Sequence, residues 1–87
     1  MTFRIETSAR GNFVAIVLSG RINEVAITEL RKILELQQDY RAIVLDLKDV
    51  SLIDREVARF LVRCEGDGAK LENLAPYIRE WMEREKD

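Results

Sequence analysis

The segment IVLDLKDVSLIDREVARFL, residues 43–61, decides the fold that this chain adopts. Residues 42–47 are rich in β-branched and aliphatic side chains and predict a strand. Asp54 stands where the N-cap of a helix belongs, with its carboxylate placed to accept a hydrogen bond from the backbone N–H of Val57. Residues 55–65 predict an amphipathic helix. Its apolar stripe comprises Val57, Phe60, Leu61 and Cys64, and its basic stripe comprises Arg55, Arg59 and Arg63.

The chain before this segment predicts a β-hairpin and a helix. Apolar and polar residues alternate over 2–7, a polar turn follows at 8–12, and residues 13–18 are apolar at nearly every position. Such a run suits a strand that is covered on both faces or placed centrally in the sheet. Ser19-Gly20 breaks the run, and Asn23 caps a helix whose apolar face carries Ala26, Ile27, Leu30, Ile33, Leu34 and the polar exception Gln37.

The chain after this segment predicts one more strand and one more helix. Gly66-Asp67-Gly68 ends the second helix, and residues 70–73 form a short strand. Pro76 fits the first position of a last helix. That helix buries Leu74, Ile78, Trp81 and Met82, and residues 83–87 follow as a solvated tail.

The order of these elements predicts an α/β fold. Strands joined through helices prefer to pair in parallel with the helices packed on the sheet, and the antiparallel hairpin at the start makes the sheet mixed. We therefore expect a single domain over residues 1–87, with about four strands and about three helices.

Composition narrows the classes of function. Charged residues make up 34% of the 87 residues, yet the net charge is only −2 and no basic block occurs, so nucleic-acid binding is not expected. The absence of histidine removes the commonest general base and transition-metal ligand. The single cysteine fits a reducing compartment. No apolar run approaches the roughly 20 residues of a membrane span and the start does not look like a secretory signal, so we expect a cytoplasmic protein.

Four stretches together resemble the STAS domain, the fold of bacterial anti-sigma-factor antagonists. They are IVLDL at 43–47 with Val50, Ile53 and Asp54 beyond it, LSGRI at 18–22, GAKL at 68–71, and NLAPYIR at 73–79. The last three resemble the family patterns L-x-G-x-[IL], G-x-x-L and N-x-x-P-x-[VI]-x. The resemblance covers the chain from Phe3 to Met82 and implies a STAS-like fold and a role in signal transduction and transcription regulation.

The chain departs from this family at the turn into the second helix. Antagonists usually carry D-S-[ST]-G there, and their second hydroxyl residue is phosphorylated by a kinase that is also an anti-sigma factor. Only Asp54 matches this pattern, because Arg55, Glu56 and Val57 follow it. Glu56 takes the position of the phosphoacceptor, and a carboxylate has no hydroxyl to accept a phosphoryl group. The usual phosphorylation switch is therefore excluded at this position.

Two interpretations of Glu56 stay open. It either imitates the charge of the phosphorylated form, although a phosphate carries roughly −1.5 to −2, or it is an ordinary glutamate at a helix start. In the second case the helix dipole favours it by about 0.3–1 kcal/mol and it pairs with Arg59. The stripe of Arg55, Arg59 and Arg63 is likewise either a solvated face or a docking face, since in this family the helix after the phosphosite docks the kinase.

Three carboxylates form a second candidate site. Asp46, Asp49 and Asp54 lie near the end of the third strand, and hard oxygen ligands of this kind suit Mg²⁺. We favour structural roles, with Asp54 as a cap, Asp49 in a turn and Asp46 bound to a neighbouring strand, because no lysine-bearing phosphate motif accompanies them. Neither a metal nor a cofactor is expected.

Four further residues invite functional interpretations. Ser51 resembles a substitute phosphoacceptor, but we expect it at a loop or strand edge with its hydroxyl bonded to nearby backbone. Cys64 has no base to activate it and is expected in the core. Trp81 repeats with the apolar face of the last helix and is expected to pack on the sheet, and Tyr77 to be partly exposed.

The sequence therefore predicts a protein-interaction module and not an enzyme. Its expected partner is a kinase-type anti-sigma factor or a larger signalling complex, bound through Asp54, Arg55, Glu56, Arg59 and Arg63. The alternative is a small STAS-like accessory subunit of another assembly, such as the ATPase complex of a bacterial lipid-transport system. An enzyme built on the aspartates is disfavoured, because His, a reactive Cys and a glycine-rich phosphate loop are missing.

Overall fold

A computed structural model describes residues 3–37 and 39–86 of the chain. Its elements in chain order are β1 (Phe3–Arg10), β2 (Phe13–Ile22), α1 (Glu24–Leu34), a 3₁₀ turn (Tyr40–Ala42), β3 (Ile43–Ile53), α2 (Arg55–Gly66), β4 (Lys70–Glu72) and α3 (Pro76–Glu85). The strands form one four-stranded sheet in the order β1-β2-β3-β4. β1 and β2 are antiparallel, whereas β2, β3 and β4 are mutually parallel. The predicted α/β class with a mixed sheet and three helices is confirmed.

The hairpin turn is tighter than predicted. The pairing of β1 with β2 extends to Arg10 opposite Phe13, which leaves only Gly11 and Asn12 in the turn. Gly11 has φ +64. A positive φ at the first of two turn residues is typical of a type II′ turn, whose twist matches that of the strands. The prediction of a turn over 8–12 was wrong, because a two-residue turn lets the whole polar segment Ser8–Arg10 stay in the ladder.

The two central strands are longer than predicted. β2 does not stop at Ser19-Gly20 but continues to Ile22, with register shifts against β3 on either side of Ser19 and Gly20. Gly20 has φ +85, a conformation that a residue without Cβ adopts freely, so the strand bends without ending. β3 similarly runs past Leu47 as far as Ile53. Asp54 alone therefore connects β3 to α2.

The core lies on one face of the sheet. Alternate residues of the central strands are buried together with the apolar faces of all three helices, among them Ile16, Leu18, Ile43, Leu45, Leu61, Ile78 and Met82. The residues between them point to the other side, which we call the open face. Its members include Arg4, Glu6, Ser8, Arg10, Phe13, Ala15, Val17, Val44, Asp46, Lys70 and Glu72. β2 is thus central in the sheet but covered by helices on one face only.

The helix starts follow the predicted capping residues. The side chain of Asn23 accepts hydrogen bonds from the backbone N–H groups of Val25 and Ala26, at 3.0 and 3.2 Å. Pro76 occupies the first turn of α3. α1 ends at Leu34, so Gln37 lies beyond it. No helix in the described part of the chain is long and apolar enough to cross a membrane.

The predicted tail is mostly helix. α3 continues to Glu85, and the side chain of Glu85 is only 9% exposed. Lys86 caps the helix end and donates a hydrogen bond to Glu83 at 3.1 Å. The prediction of a solvated tail from residue 83 was therefore wrong for Glu85, and Asp87 lies outside the described residues.

Candidate functional site

The turn between β3 and α2 is built by Asp54. One carboxylate oxygen of Asp54 accepts a hydrogen bond from the backbone N–H of Val57 at 3.0 Å, as predicted. Its carbonyl oxygen accepts the N–H of Ala58 at 3.1 Å and so starts the helical ladder. Val57 and Ala58 are buried, which anchors this first turn in the core. The turn therefore places Arg55 and Glu56 at the start of α2, where both are exposed.

Glu56 is exposed in the first turn of α2. Its side chain is 64% exposed, and the nearest cation is Nη1 of Arg59, 3.8 Å from its Oε2. The pairing with Arg59 that the sequence predicted is therefore present, at a distance that contributes little to stability in water. The exposed carboxylate stays accessible to another molecule.

Two of the three arginines on α2 are held by a carboxylate from α3. Nε of Arg59 donates a hydrogen bond to Oε1 of Glu85 at 2.9 Å, and Nε of Arg55 donates to Oε2 at 3.2 Å. The arginine side chains nevertheless remain 66% and 50% exposed for Arg55 and Arg59. The basic stripe is thus an ordered, partly neutralised surface that still faces solvent.

The charges of this cluster reinforce one another. The hydrogen bond from Arg59 is the main cause that lowers the pKa of Glu85, and the hydrogen bond from Arg55 adds to it. The same bond to Glu85 raises the pKa of Arg59, with a smaller effect from the charge of Glu56. Both shifts favour the ionised forms of Glu85 and Arg59.

Arg63, the third arginine, lies in a groove between α1 and α2. The groove has a volume of about 280 Å³, and its lining includes Arg31, Phe60 and Arg63. The guanidinium of Arg31 lies 5.5 Å from the centre of the Phe60 ring, a cation–π distance. Among the described residues, no carboxylate lies within salt-bridge distance of Arg63. We use the name α2 surface for Asp54, Arg55, Glu56, Arg59 and Arg63.

The three aspartates do not form a joint site. Asp46 accepts hydrogen bonds from Nδ2 of Asn73 at 3.0 Å and from the backbone N–H of Lys48 at 2.9 Å, and the first of these is the main cause that lowers its pKa. Asp49 lies in β3 opposite Ser19 and not in a turn as predicted, because the strand continues to Ile53. Over residues 3–37 and 39–86, no group of three potential ligand side chains could hold a metal ion.

Ser51 and Tyr77 form one contact. Ser51 is exposed in β3, at the register shift between Val50 and Leu52, and its carbonyl oxygen accepts a hydrogen bond from the Tyr77 hydroxyl at 3.1 Å. Tyr77 is 42% exposed. Trp81 is half-buried and packs against the core, as predicted. This contact fastens the end of β3 to the start of α3.

Cys64 is confirmed as a core residue, 3% exposed. Burial raises the pKa of its thiol from the ordinary 9.0 to about 12. The thiolate is the nucleophilic form, so Cys64 is inert at neutral pH in the folded chain.

Reaction with a thiol reagent at pH 8 is expected to be roughly a thousandfold slower for folded Cys64 than for the urea-unfolded chain, since each pKa unit removes tenfold of the thiolate. A Cys64→Ser/Ser51→Cys variant provides the exposed control and should react quickly when folded. Fast labelling of the native wild type would contradict the buried placement.

The same pKa shift predicts a loss of stability at high pH. Above about pH 9 the unfolded chain loses the thiol proton of Cys64 while the folded chain keeps it, so wild type should lose stability relative to Cys64→Ser as the pH rises toward 12.

Glu85 is the site residue that sequence reasoning missed. It follows Ile78 and Met82 by seven and three positions, which is the spacing of one helical face. A carboxylate that continues the buried face of a helix needs a cationic partner, and the facing helix has two arginines. This periodicity could have predicted the contact between Glu85 and α2. The high charge of residues 83–87 led instead to the prediction of a solvated tail.

No family model matches the chain, and no curated protein sequence matches it. The family resemblance therefore depends on the motifs and on the order of the elements.

Proposed function

We propose that this chain is a non-catalytic protein-interaction module that binds a protein partner through the α2 surface. The observation that carries the proposal is the exposed row of Arg55, Arg59 and Arg63 on α2, beside an exposed Glu56 at the helix start. Arginine is enriched in protein interfaces because its guanidinium binds carboxylates in a bidentate manner. A fixed helix start with charges of both signs suits recognition of a partner that carries complementary charges.

The hydrogen bonds from two of the arginines to Glu85 support this use of the surface. Glu85 accepts hydrogen bonds from Arg55 and Arg59 before any partner arrives, so less side-chain freedom is lost on binding than for unpaired arginines. Arg63 lies one turn further along, beside Phe60 in the groove between α1 and α2. The surface therefore combines a preorganised charged part with a partly apolar groove.

The resemblance to the STAS domain suggests the kind of partner. We propose a kinase-type anti-sigma factor or a larger signalling complex of the bacterial cytoplasm. At the position of the usual phosphoacceptor, Glu56 provides a constant negative charge, so binding would not be switched by phosphorylation there. The order strand, strand, helix, strand, helix, strand, helix is the order that the resemblance implies.

Affinity capture from a lysate of the source organism tests this proposal. Tagged wild type is expected to retain an anti-sigma kinase or a signalling complex, and Glu56→Lys is expected to lose it, because the change reverses the charge at the helix start. Glu72→Lys is the matched control, since it makes the same charge change on the open face. Arg63→Glu should weaken capture without breaking the pairs to Glu85.

The neutral variants distinguish the two interpretations of Glu56. If Glu56→Gln and Glu56→Ala both retain the partner as well as wild type does, the charge of Glu56 has no role in binding. If Glu56→Lys and Arg63→Glu also retain it, the α2 surface is not the docking site. Recovery of a transporter ATPase in place of a signalling protein would contradict the proposed partner class.

A further inference from the structure

The outer edge of β1 is uncovered. β1 is the first strand of the sheet and pairs only with β2 among the described strands. Its residues from Glu6 to Arg10 are exposed. A strand in this position presents a row of N–H and C=O groups that another strand can bind.

The hairpin turn determines which residues present these groups. Arg10 and Phe13 flank the two-residue turn and form a hydrogen-bonded pair, as a closed β-turn requires. Pairs in an antiparallel ladder alternate between hydrogen-bonded and non-hydrogen-bonded types. The backbone groups that point to the free edge therefore belong to the odd-numbered residues Phe3, Ile5, Thr7 and Ala9.

A second copy of β1 complements this edge in one antiparallel register. Odd-numbered residues must face odd-numbered residues for the backbone groups to meet. We name each antiparallel register by the residue that faces the same residue of the other copy. The register centred on Glu6 sets Glu6 against Glu6, and the register centred on Thr7 sets Arg4 against Arg10. These like-charge pairs are unfavourable.

The register centred on Ile5 has no such conflict. It sets Arg4 of each copy against Glu6 of the other on the open face, which gives two pairs of opposite charge. It also sets Ile5 beside its own copy on the helix side of the sheet, where Ile5 is half-buried against the core. A register centred on Ser8 pairs Glu6 with Arg10 but lacks this apolar contact.

We propose that two copies of this chain associate through antiparallel pairing of β1 in the register centred on Ile5, which joins their sheets into one. The interface is isologous, because each copy contributes the same strand to the other. The strand is short and the interface lies below the standard size, so the association is weak and reversible. It uses the sheet edge and leaves the α2 surface free, so it is independent of the proposed partner.

Sedimentation equilibrium over a roughly hundredfold range of protein concentration tests the association. Wild type is expected to self-associate reversibly. Glu6→Arg is expected to weaken dimerisation at least about tenfold, because both charge pairs become repulsive. The double variant Arg4→Glu/Glu6→Arg restores both opposite-charge pairs of the register centred on Ile5 and should return the dimer to within about threefold of wild type. It also turns the Arg4–Arg10 pair of the register centred on Thr7 into an opposite-charge pair, so the cross-link below distinguishes these two registers. Because Arg4 and Glu6 are exposed, circular dichroism should show unchanged folding.

A cross-link checks the register independently. In a Cys64→Ser background, Ile5→Cys places two thiols on directly opposed residues of a hydrogen-bonded pair, whose Cα atoms are about 5.5 Å apart and within disulfide range. Oxidation should give a covalent dimer, and the matched Ser8→Cys variant should give much less. A monomer at every concentration, or equal weakening by Glu6→Arg and by the double variant, would overturn the proposal. Preferential cross-linking through Ser8→Cys would overturn the register.

Discussion

Leu45→Ala is expected to lower the free energy of unfolding by about 2–5 kcal/mol. Leu45 is 0% exposed at the centre of β3, opposite Ile16 on one side and Leu71 on the other. Its truncation removes buried apolar area and leaves a cavity between the sheet and the helices. A chain of 87 residues has a stability of roughly 4–13 kcal/mol, so this loss is a large share of the total.

Urea unfolding followed by circular dichroism measures this loss, and Val44→Ala is the matched control. Val44 is the preceding residue of the same strand, but it lies on the open face and is only half-buried. Its truncation is expected to cost less than about 1 kcal/mol, because little buried volume is lost and solvent fills the space. If the two variants lose equal stability, the open face is covered by something and the two-layer description is wrong.

Gly68→Ala is expected to destabilise the fold by about 1–3 kcal/mol. Gly68 has φ +111, a backbone conformation that residues with a Cβ rarely adopt. A Cβ at this position would also lie 2.8 Å from Cγ of Arg41, so the side chain of Arg41 would have to move. Both effects act on the folded state, and they oppose the entropic gain of replacing glycine.

Gly66→Ala provides a control of opposite sign only two residues away. Gly66 is the last residue of α2, and a Cβ there would meet nothing within 4 Å. Alanine restricts the unfolded chain and favours the helix, so the variant should be more stable by about 0.4–1 kcal/mol. Thermal unfolding of both variants measures the difference. Equal shifts of the same sign would show that the backbone at residue 68 is not constrained as described.

The role of Glu85 changes how the α2 surface must be tested. A simultaneous charge reversal of Arg55, Arg59 and Arg63 would break the ion pairs with Glu85 as well as any contact with a partner. A loss of binding would then have two causes. Arg63→Glu avoids this, because the ion pairs of the described chain do not include Arg63.

Features that depend on neighbouring residues were predicted correctly from the sequence. Asn23 and Asp54 cap their helices, and Pro76 starts the third, because each position needs only a side chain of the right type within three residues of the backbone groups that it serves. The hairpin turn, in contrast, was predicted over five residues where the structure has two. A polar segment predicts a turn by composition, whereas the pairing of two strands decides where it begins.

The sequence by itself determined the α/β class, the order of the elements, the helix starts and the burial of Cys64, since these follow from periodicity and capping over a few positions. Only the tertiary structure decided that Glu85 binds Arg55 and Arg59, that Asp46 binds Asn73, and that one face of the sheet is open. These hydrogen bonds join residues 26–30 positions apart. Local periodicity carries no information about such distances, because they are set by how the helices pack against the sheet.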